Sequence, residues 1–271
     1  MVEYGTVDDE LLACVVTPQR VDLVRRMASW TEVETGVRGL RFQIETLRHG
    51  AKPLRRHVAQ LAARATARLS TLHQQLWAPL APVWEATAGP QRVLVVPHGL
   101  LGAQPFAALD DAAVALGQRC QLALAPSARA VLRGLLWPSV AAQRILALGE
   151  SSRLPQASAE AQAVELAKTL ALKAATVVLS ACETGLTDSQ AASGDEMVGL
   201  VRAFWVAGAA RVLASQWPVD NAGTAAVMAG FYRALVGGAG PVAVLQVAQT
   251  QTRQRHPHPY FWAAFSRFGG W

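Results

Sequence analysis

The chain has 271 residues, of which 52% are hydrophobic, and it carries a formal net charge of +6. This length and apolar content suit one large domain or two modest domains with an ample core. No uninterrupted apolar run approaches the ~18 residues that a membrane span needs, and the first residues lack the basic-then-apolar order of a secretory signal. The three cysteines, at positions 14, 120 and 182, fit neither a disulfide framework nor a zinc site. We therefore expect a cytoplasmic protein with no metal and no other cofactor.

The positive charge is concentrated between Arg20 and Arg68, where eleven Lys and Arg outnumber four Asp and Glu. A basic surface of this kind attracts nucleic acid or acidic protein. The region has no nucleic-acid-binding motif and no interleaved aromatic residues, so a solvated helical face is the simpler interpretation. The basic face at 20–68 is left without an assigned use.

Residues 1–90 are predicted to form a β-hairpin followed by a helical region. The stretch EYGTVDDELLACVVT, residues 3–17, places two apolar runs around an Asp-rich turn, and RVDLVRR follows it. Between about Thr31 and Trp84, apolar residues recur at spacings of three and four, at positions 61, 65, 69, 72 and 76, which is typical of an amphipathic helix. Prolines at 79 and 82 and the Gly89–Pro90 pair end this region.

Residues 91–271 are predicted to form an α/β core. Short apolar runs at 93–96, 122–125, 145–148, 176–180 and 211–215 alternate with helical patterns near 128–136, 157–170, 196–207, 221–236 and 241–254. Runs that are apolar on both faces are typical of strands buried between helix layers. The alternation of strands and helices favours a mainly parallel sheet flanked by helices. Asp195 and Asp220 are placed to cap the helices that follow them.

Cys182 lies two residues past the predicted strand 176–180, and Gly185 allows a tight turn after it. Because ligands bind at the carboxyl ends of parallel strands, this thiol is a candidate nucleophile, although a free cysteine is also often a buried core residue. Cys14 and Cys120 lie in or beside apolar runs and are predicted to be core residues.

A nucleophilic cysteine commonly needs a paired histidine. His98 directly follows the predicted strand 93–96 and its proline, so by position it is the candidate base. The other five histidines lie elsewhere: those at 49, 57 and 73 are predicted to be on the surface, and those at 256 and 258 to pack or cap ahead of a last helix.

Several stretches resemble the CHAT domain, a caspase-like family of the separase and gingipain clan. They are VVLSACETG at 177–185, the segment 193–235, HPYFWAAFSRFGGW at 258–271 and RVLVVPHGLLGAQPFAAL at 92–109. The resemblance implies a caspase-like fold and a cysteine endopeptidase with a His–Cys dyad, acting on a protein or peptide. Cys182 aligns with the nucleophile, and its backbone N–H would help to hold the oxyanion. Asp220, in WPVDN, matches an acidic position near the substrate pocket, although an N-cap explains it equally well.

The chain departs from this family where the dyad histidine belongs. The family carries a His–Gly pair at the end of a strand just before the cysteine strand. Here the predicted helix 157–170 runs directly into the strand that begins at Thr176, and no histidine lies between His98 and His256. Either the neighbouring strands close the gap or strand edges stay unpaired.

Three hypotheses follow from this departure. The first is an active peptidase whose base is His98 or comes from a partner chain. The second is a non-catalytic module that binds partners through the peptide groove or the helical face. The third is a truncated relative that folds poorly. We expect weak or no intrinsic peptidase activity, because losing one member of a dyad removes most of the rate.

Overall fold

The computed structural model describes residues 1–47, 57–84, 92–111, 114–135, 145–148, 176–179, 201–217, 221–236 and 241–269. The chain divides into two compact units. The first contains Met1–Val95, Gln104–Leu122 and Val219–Ala264, and the second contains Val96–Ala103, Ala123–Pro218 and Phe265–Trp271. The division into 1–90 and 91–271 stays a prediction.

The first unit begins with a three-stranded antiparallel meander of β1 (Val2–Val7), β2 (Glu10–Val16) and β3 (Val21–Ser29). A tight turn joins β1 to β2, and Asp8 in it takes a left-handed conformation with φ 53°. The expected hairpin is confirmed, with a register that runs from Val2↔Val15 to Val7↔Glu10. The described strands of this unit follow the order β3-β2-β1-β4-β5, where β4 is Arg92–Val96 and β5 is Gln121–Leu124.

The predicted helical region consists of separate helices. They are α1 (Trp30–Glu45), α2 (Val58–Leu76) and the short α3 (Ala81–Trp84). The Ser29 hydroxyl caps α1 by accepting a hydrogen bond from the Glu32 N–H at 3.3 Å. The predicted apolar face of α2 is confirmed at residues 65, 69, 72 and 76, which are buried, whereas residue 61 is half-buried. The Tyr4 hydroxyl donates to the Leu76 carbonyl at 2.7 Å, which ties β1 to the end of α2.

Further helices with both ends in the described ranges are, in chain order, α4 (Leu116–Arg119), α5 (Ala128–Leu135), α6 (Asn221–Val236), α7 (Pro241–Arg255) and α8 (Pro259–Trp262). All of them except α5 belong to the first unit. The buried Asp110 forms an ion pair with Arg253 of α7. The guanidinium of Arg253 also lies 5.2 Å from the ring centroid of Trp262. None of the helices in the described part of the chain combines the length and apolar content that crossing a bilayer requires.

The second unit is built on the strand order β5-β9-β8-β7-β6. Its new strands are β6 (Ile145–Leu148), β7 (Thr176–Leu179), β8 (Arg211–Ser215) and β9 (Phe265–Gly269). The pairs β5–β9, β6–β7 and β7–β8 are parallel, and β8–β9 is antiparallel. The predicted mainly parallel α/β sheet is therefore confirmed in this unit. The expected last helix is the one-turn α8, and it leads into β9, a strand that was not predicted.

Candidate functional site

The strand that precedes Cys182 is fully buried and lies between two parallel neighbours. All four residues of β7 are buried, which suits their β-branched and leucine side chains. Its register runs from Thr176↔Ile145 to Leu179↔Leu148 on one side, and from Thr176↔Arg211 to Leu179↔Ala214 on the other. The carboxyl ends of β6, β7 and β8 therefore lie at one edge of the sheet. The neighbouring strands close the gap, which was one of the two expected outcomes.

The residues that follow these strands define the candidate site. Cys182 comes three residues after Leu179, and β6 and β8 continue into Gly149–Glu150 and Gln216–Trp217. Cys182 and Asp220 lie outside the described residues. Their roles as nucleophile, with its backbone N–H at the oxyanion, and as substrate-pocket residue stay predictions.

Hydrogen bonds of Ser215 and Gln216 help to hold the carboxyl end of β8. The Ser215 hydroxyl donates to the Trp217 carbonyl at 2.5 Å, which closes a tight turn directly after the strand. Gln216 is only 6% exposed, and its Nε2 donates to the Gly102 carbonyl at 3.2 Å. The bond from Gln216 fixes the one-turn 3-10 helix Gly99–Ala103 to this end of β8.

His98 lies at the start of that 3-10 helix. Its side chain is exposed, and its carbonyl accepts from the Leu101 N–H at 3.0 Å. Gly99 follows with φ 50°, a left-handed conformation that favours glycine. The structure thus brings the segment that carries His98 to the carboxyl end of β8, the strand beside β7. The role of His98 as a substitute base stays a prediction.

Two further histidines lie as predicted, and one does not. His57 is exposed, and His258 caps α8 by accepting from the Tyr260 N–H at 3.1 Å. Burial lowers the pKa of His258 to about 4. The prediction that His73 lies on the surface was wrong. The His73 side chain is only 8% exposed, because it lies on the turn of α2 that also carries the buried Leu72 and Leu76. Burial lowers its pKa, against the opposing field of Asp111.

His49 lies outside the described residues, and His256 is exposed, with its ring centroid 5.2 Å from that of Phe261.

The described cysteines differ from each other. Cys120 is buried as predicted, its thiol donates to the Leu116 carbonyl at 3.7 Å, and burial raises its pKa to about 12. A thiol of that pKa stays protonated and is a poor nucleophile near neutral pH. Cys14 is half-buried rather than a core residue, because side chains alternate along β2 and those of Ala13 and Val15 take the buried face.

Sequence reasoning missed Gln216. Gln216 is a polar residue that follows an apolar strand. His98 and Cys182 were chosen as candidates because they, too, follow the end of an apolar strand. Within the described ranges, no three His, Cys, Asp or Glu side chains are grouped so that they could hold a metal ion.

Comparison with known proteins identifies the family. The CHAT domain model matches residues 66–166 and 160–270 of this chain. The chain belongs to the CHAT family. It is also 38% identical over 90 residues to mouse (Mus musculus) tetratricopeptide repeat protein 28, a match that covers 31% of this chain and 4% of that protein. The CHAT chain therefore resembles a small part of a much longer relative.

The CHAT match and the site geometry concern the same strands. The two matched segments together include β4 to β9, and they overlap at residues 160–166, between β6 and β7. The expectation of a CHAT-domain protein with a mixed α/β fold is confirmed.

Proposed function

We propose that this CHAT-family chain is a peptide-binding module of the caspase-like cysteine endopeptidase type with weak or no intrinsic peptidase activity. The observation that carries the proposal is the direct pairing of β6 with β7. Each of the two strands beside β7 continues into residues other than histidine, namely Gly149–Glu150 and Gln216–Trp217. No histidine therefore directly follows either neighbouring strand in the sequence, which supports a site without the usual His–Cys dyad.

The chemistry explains why this loss matters. A cysteine thiol attacks a peptide carbonyl as its thiolate, and the leaving amine must receive a proton. In a dyad, one imidazole performs both tasks, so the two residues act as a unit and losing one removes most of the rate. Oxyanion donors and a substrate pocket, including the backbone N–H of Cys182 and the carboxylate of Asp220, would still bind a peptide without cleaving it.

Two further observations support the proposal. The CHAT match is made of two segments that meet at residues 160–166, in the connection between β6 and β7. The relative named tetratricopeptide repeat protein 28 contains, by that name, a repeat of helical pairs that stack into extended binding surfaces. A protein or peptide partner is the kind of ligand that fits both observations. Free thiols at Cys14 and Cys120 favour a reducing compartment such as the cytoplasm.

A second candidate is an active peptidase that uses His98 as its base. The bond between Gln216 and Gly102 favours it, since this bond holds the His98 segment at the end of β8. A histidine side chain can serve as a general base, so a His98 within hydrogen-bond reach of the thiol would suffice.

Electrophilic peptide probes distinguish these functions. A set of peptidyl chloromethyl ketones is incubated with the wild-type protein, with Cys182→Ala and with Cys14→Ala as the matched cysteine control, and a fluorogenic peptide library measures turnover. We expect little turnover, slow labelling that Cys182→Ala abolishes and Cys14→Ala leaves unchanged, and equal binding of unmodified peptides by the wild type and Cys182→Ala.

Rapid labelling that His98→Ala abolishes would establish the active peptidase and overturn the claim of a missing base. Neither labelling nor peptide binding, in a protein that unfolds cooperatively, would remove both functions. A protein without a cooperative unfolding transition would be the poorly folding, truncated relative.

A further inference from the structure

The outer edge of β3 is unpaired among the described strands, since β3 is the terminal strand in the order β3-β2-β1-β4-β5. Two apolar side chains on this strand, Val21 and Leu23, are 66% and 60% exposed. An unpaired edge with exposed apolar side chains is a template for another strand, and proteins that must avoid such pairing cover or charge it. This edge is independent of the site beside β7.

Backbone hydrogen bonds show which residues face outward. The Arg20 carbonyl accepts from the Thr17 N–H at 2.9 Å, and the Arg20 N–H donates to the Thr17 hydroxyl at 3.1 Å, so Arg20 faces β2. Backbone polar groups alternate in direction along a strand. The N–H and C=O of Val21 and Leu23 therefore point away from β2. Val16, the partner of Val21, agrees with this, because its N–H donates to Met1.

The exposed side chains extend an apolar face of the meander. Val21 lies opposite Val16, and Leu23 lies opposite the half-buried Cys14. Beyond Val24 the ladder with β2 is interrupted by a bulge, where Arg26 has φ 54°. The edge that can accept a strand therefore spans about five residues, from Val21 to Arg25, and a short extended segment suffices to cover it.

Charge decides which strand fits this edge. The stretch from Arg20 to Arg26 contains three arginines and one aspartate. Arg20 pairs with Asp22 and Arg25 with Glu10, and the exposed Arg26 adds a positive charge beside them. A second copy of the chain would bring the same surplus of positive charge, which disfavours edge-to-edge pairing. A segment with carboxylates complements it.

We propose that the outer edge of β3, from Val21 to Arg25, docks an extended acidic peptide segment of a partner protein. The segment adds a strand to the meander by hydrogen bonds to the outward groups of Val21 and Leu23. Its apolar side chains alternate with polar ones and cover those of Val21 and Leu23, and its carboxylates lie beside Arg25 and Arg26.

Fluorescence anisotropy with two six-residue peptides tests the proposal. One peptide has two glutamates followed by threonine and valine in alternation, and the control peptide has two lysines in place of the glutamates. We expect the acidic peptide to bind the wild-type protein about tenfold more tightly than the lysine peptide at low salt, and to lose most of that advantage in 0.5 M NaCl.

Substitutions on β3 locate the binding. Leu23→Pro removes an N–H that points away from β2, so the native ladder is kept while strand addition is blocked, and we expect about tenfold weaker binding. Leu23→Thr keeps the backbone intact and should weaken binding about threefold by loss of apolar contact. Phe42→Thr, at a side chain of α1 that is 73% exposed, is the matched control and should bind as the wild type does. Thermal unfolding establishes that each variant is folded.

Three results would overturn the proposal. One is equal affinity of the wild type for the two peptides, including the absence of binding to both. Another is wild-type affinity in both Leu23 variants. The third is a dimer in sedimentation velocity that Leu23→Pro converts to a monomer, because a second copy would then occupy the edge.

Discussion

The His258 cap of α8 predicts a loss of stability in mild acid. His258 is fully buried, and its Nδ1 accepts from the Tyr260 N–H at 3.1 Å, which requires an unprotonated Nδ1. Burial lowers the pKa from 6.5 to about 4. Because the folded protein binds this proton less tightly than the unfolded chain, the stabilising contribution is complete above pH 6.5 and declines as the pH falls towards 4.

The magnitude follows from the two pKa values. One pKa unit corresponds to about 1.4 kcal/mol, so the wild type should lose about 2–3 kcal/mol from this group between pH 7.5 and pH 4.5. His258→Asn keeps a capping acceptor and cannot titrate. Urea unfolding of both proteins at four pH values across this range measures the difference in their free energies of unfolding.

Other groups titrate equally in the two proteins, so the difference isolates His258. His57→Asn, at an exposed histidine, is the matched control and should follow the wild type. If the wild-type and His258→Asn curves run parallel from pH 7.5 to 4.5, the buried cap does not resist protonation and the reasoning is refuted.

Three further predictions concern stability and thiol chemistry. Asp110→Asn leaves the partly buried Arg253 without its carboxylate and should cost about 2–3 kcal/mol in urea unfolding; an unchanged midpoint would contradict this. Gly269 has φ 103°, and an added Cβ would lie 2.6 Å from the Ala210 carbonyl oxygen, so Gly269→Ala should lower stability by about 2 kcal/mol or more, and a stabilised variant in thermal unfolding would disprove the strain. Cys120, buried and with a raised pKa of about 12, should not react with a disulfide reagent at pH 8 in the native protein, whereas the half-buried Cys14 should react; peptide mapping of the labelled thiols decides between them.

Predominantly apolar strands could be predicted closely from sequence. Apolar runs predicted β4 to β8 to within one residue at each end, and the fully buried β7 shows the reason, because a strand with both faces in the core needs no polar face. The last strand, β9, was missed. In β9 (Phe265–Gly269), Ser266 and Arg267 lie between two phenylalanines and the strand ends in glycine. The sequence therefore contains no apolar run that would predict a strand there. Only its pairing with β8 and β5, which are distant in sequence, makes it a strand.

The local sequence pattern also predicted the burial of two single residues incorrectly. His73 follows the predicted apolar face of α2, and its polar side chain suggested the surface, but helix packing includes that position in the core. Cys14 has apolar neighbours on both sides, yet it occupies the alternate face of β2. For the candidate site, the residues that follow each strand could be predicted from sequence. The hydrogen bond that joins Gln216 to Gly102 could not, because it links residues 114 positions apart and has no local sequence pattern.

The hydrogen-bonded contact of β6 with β7 determines where a further histidine could be placed beside the cysteine strand. Inserting another strand between β6 and β7 would require four matched residue pairs to separate and two new ladders to form. A side chain at the end of β8, by contrast, is already next to the cysteine strand. An imidazole grafted at position 216 would therefore replace the amide that bonds Gly102 and leave the ladder between β6 and β7 intact.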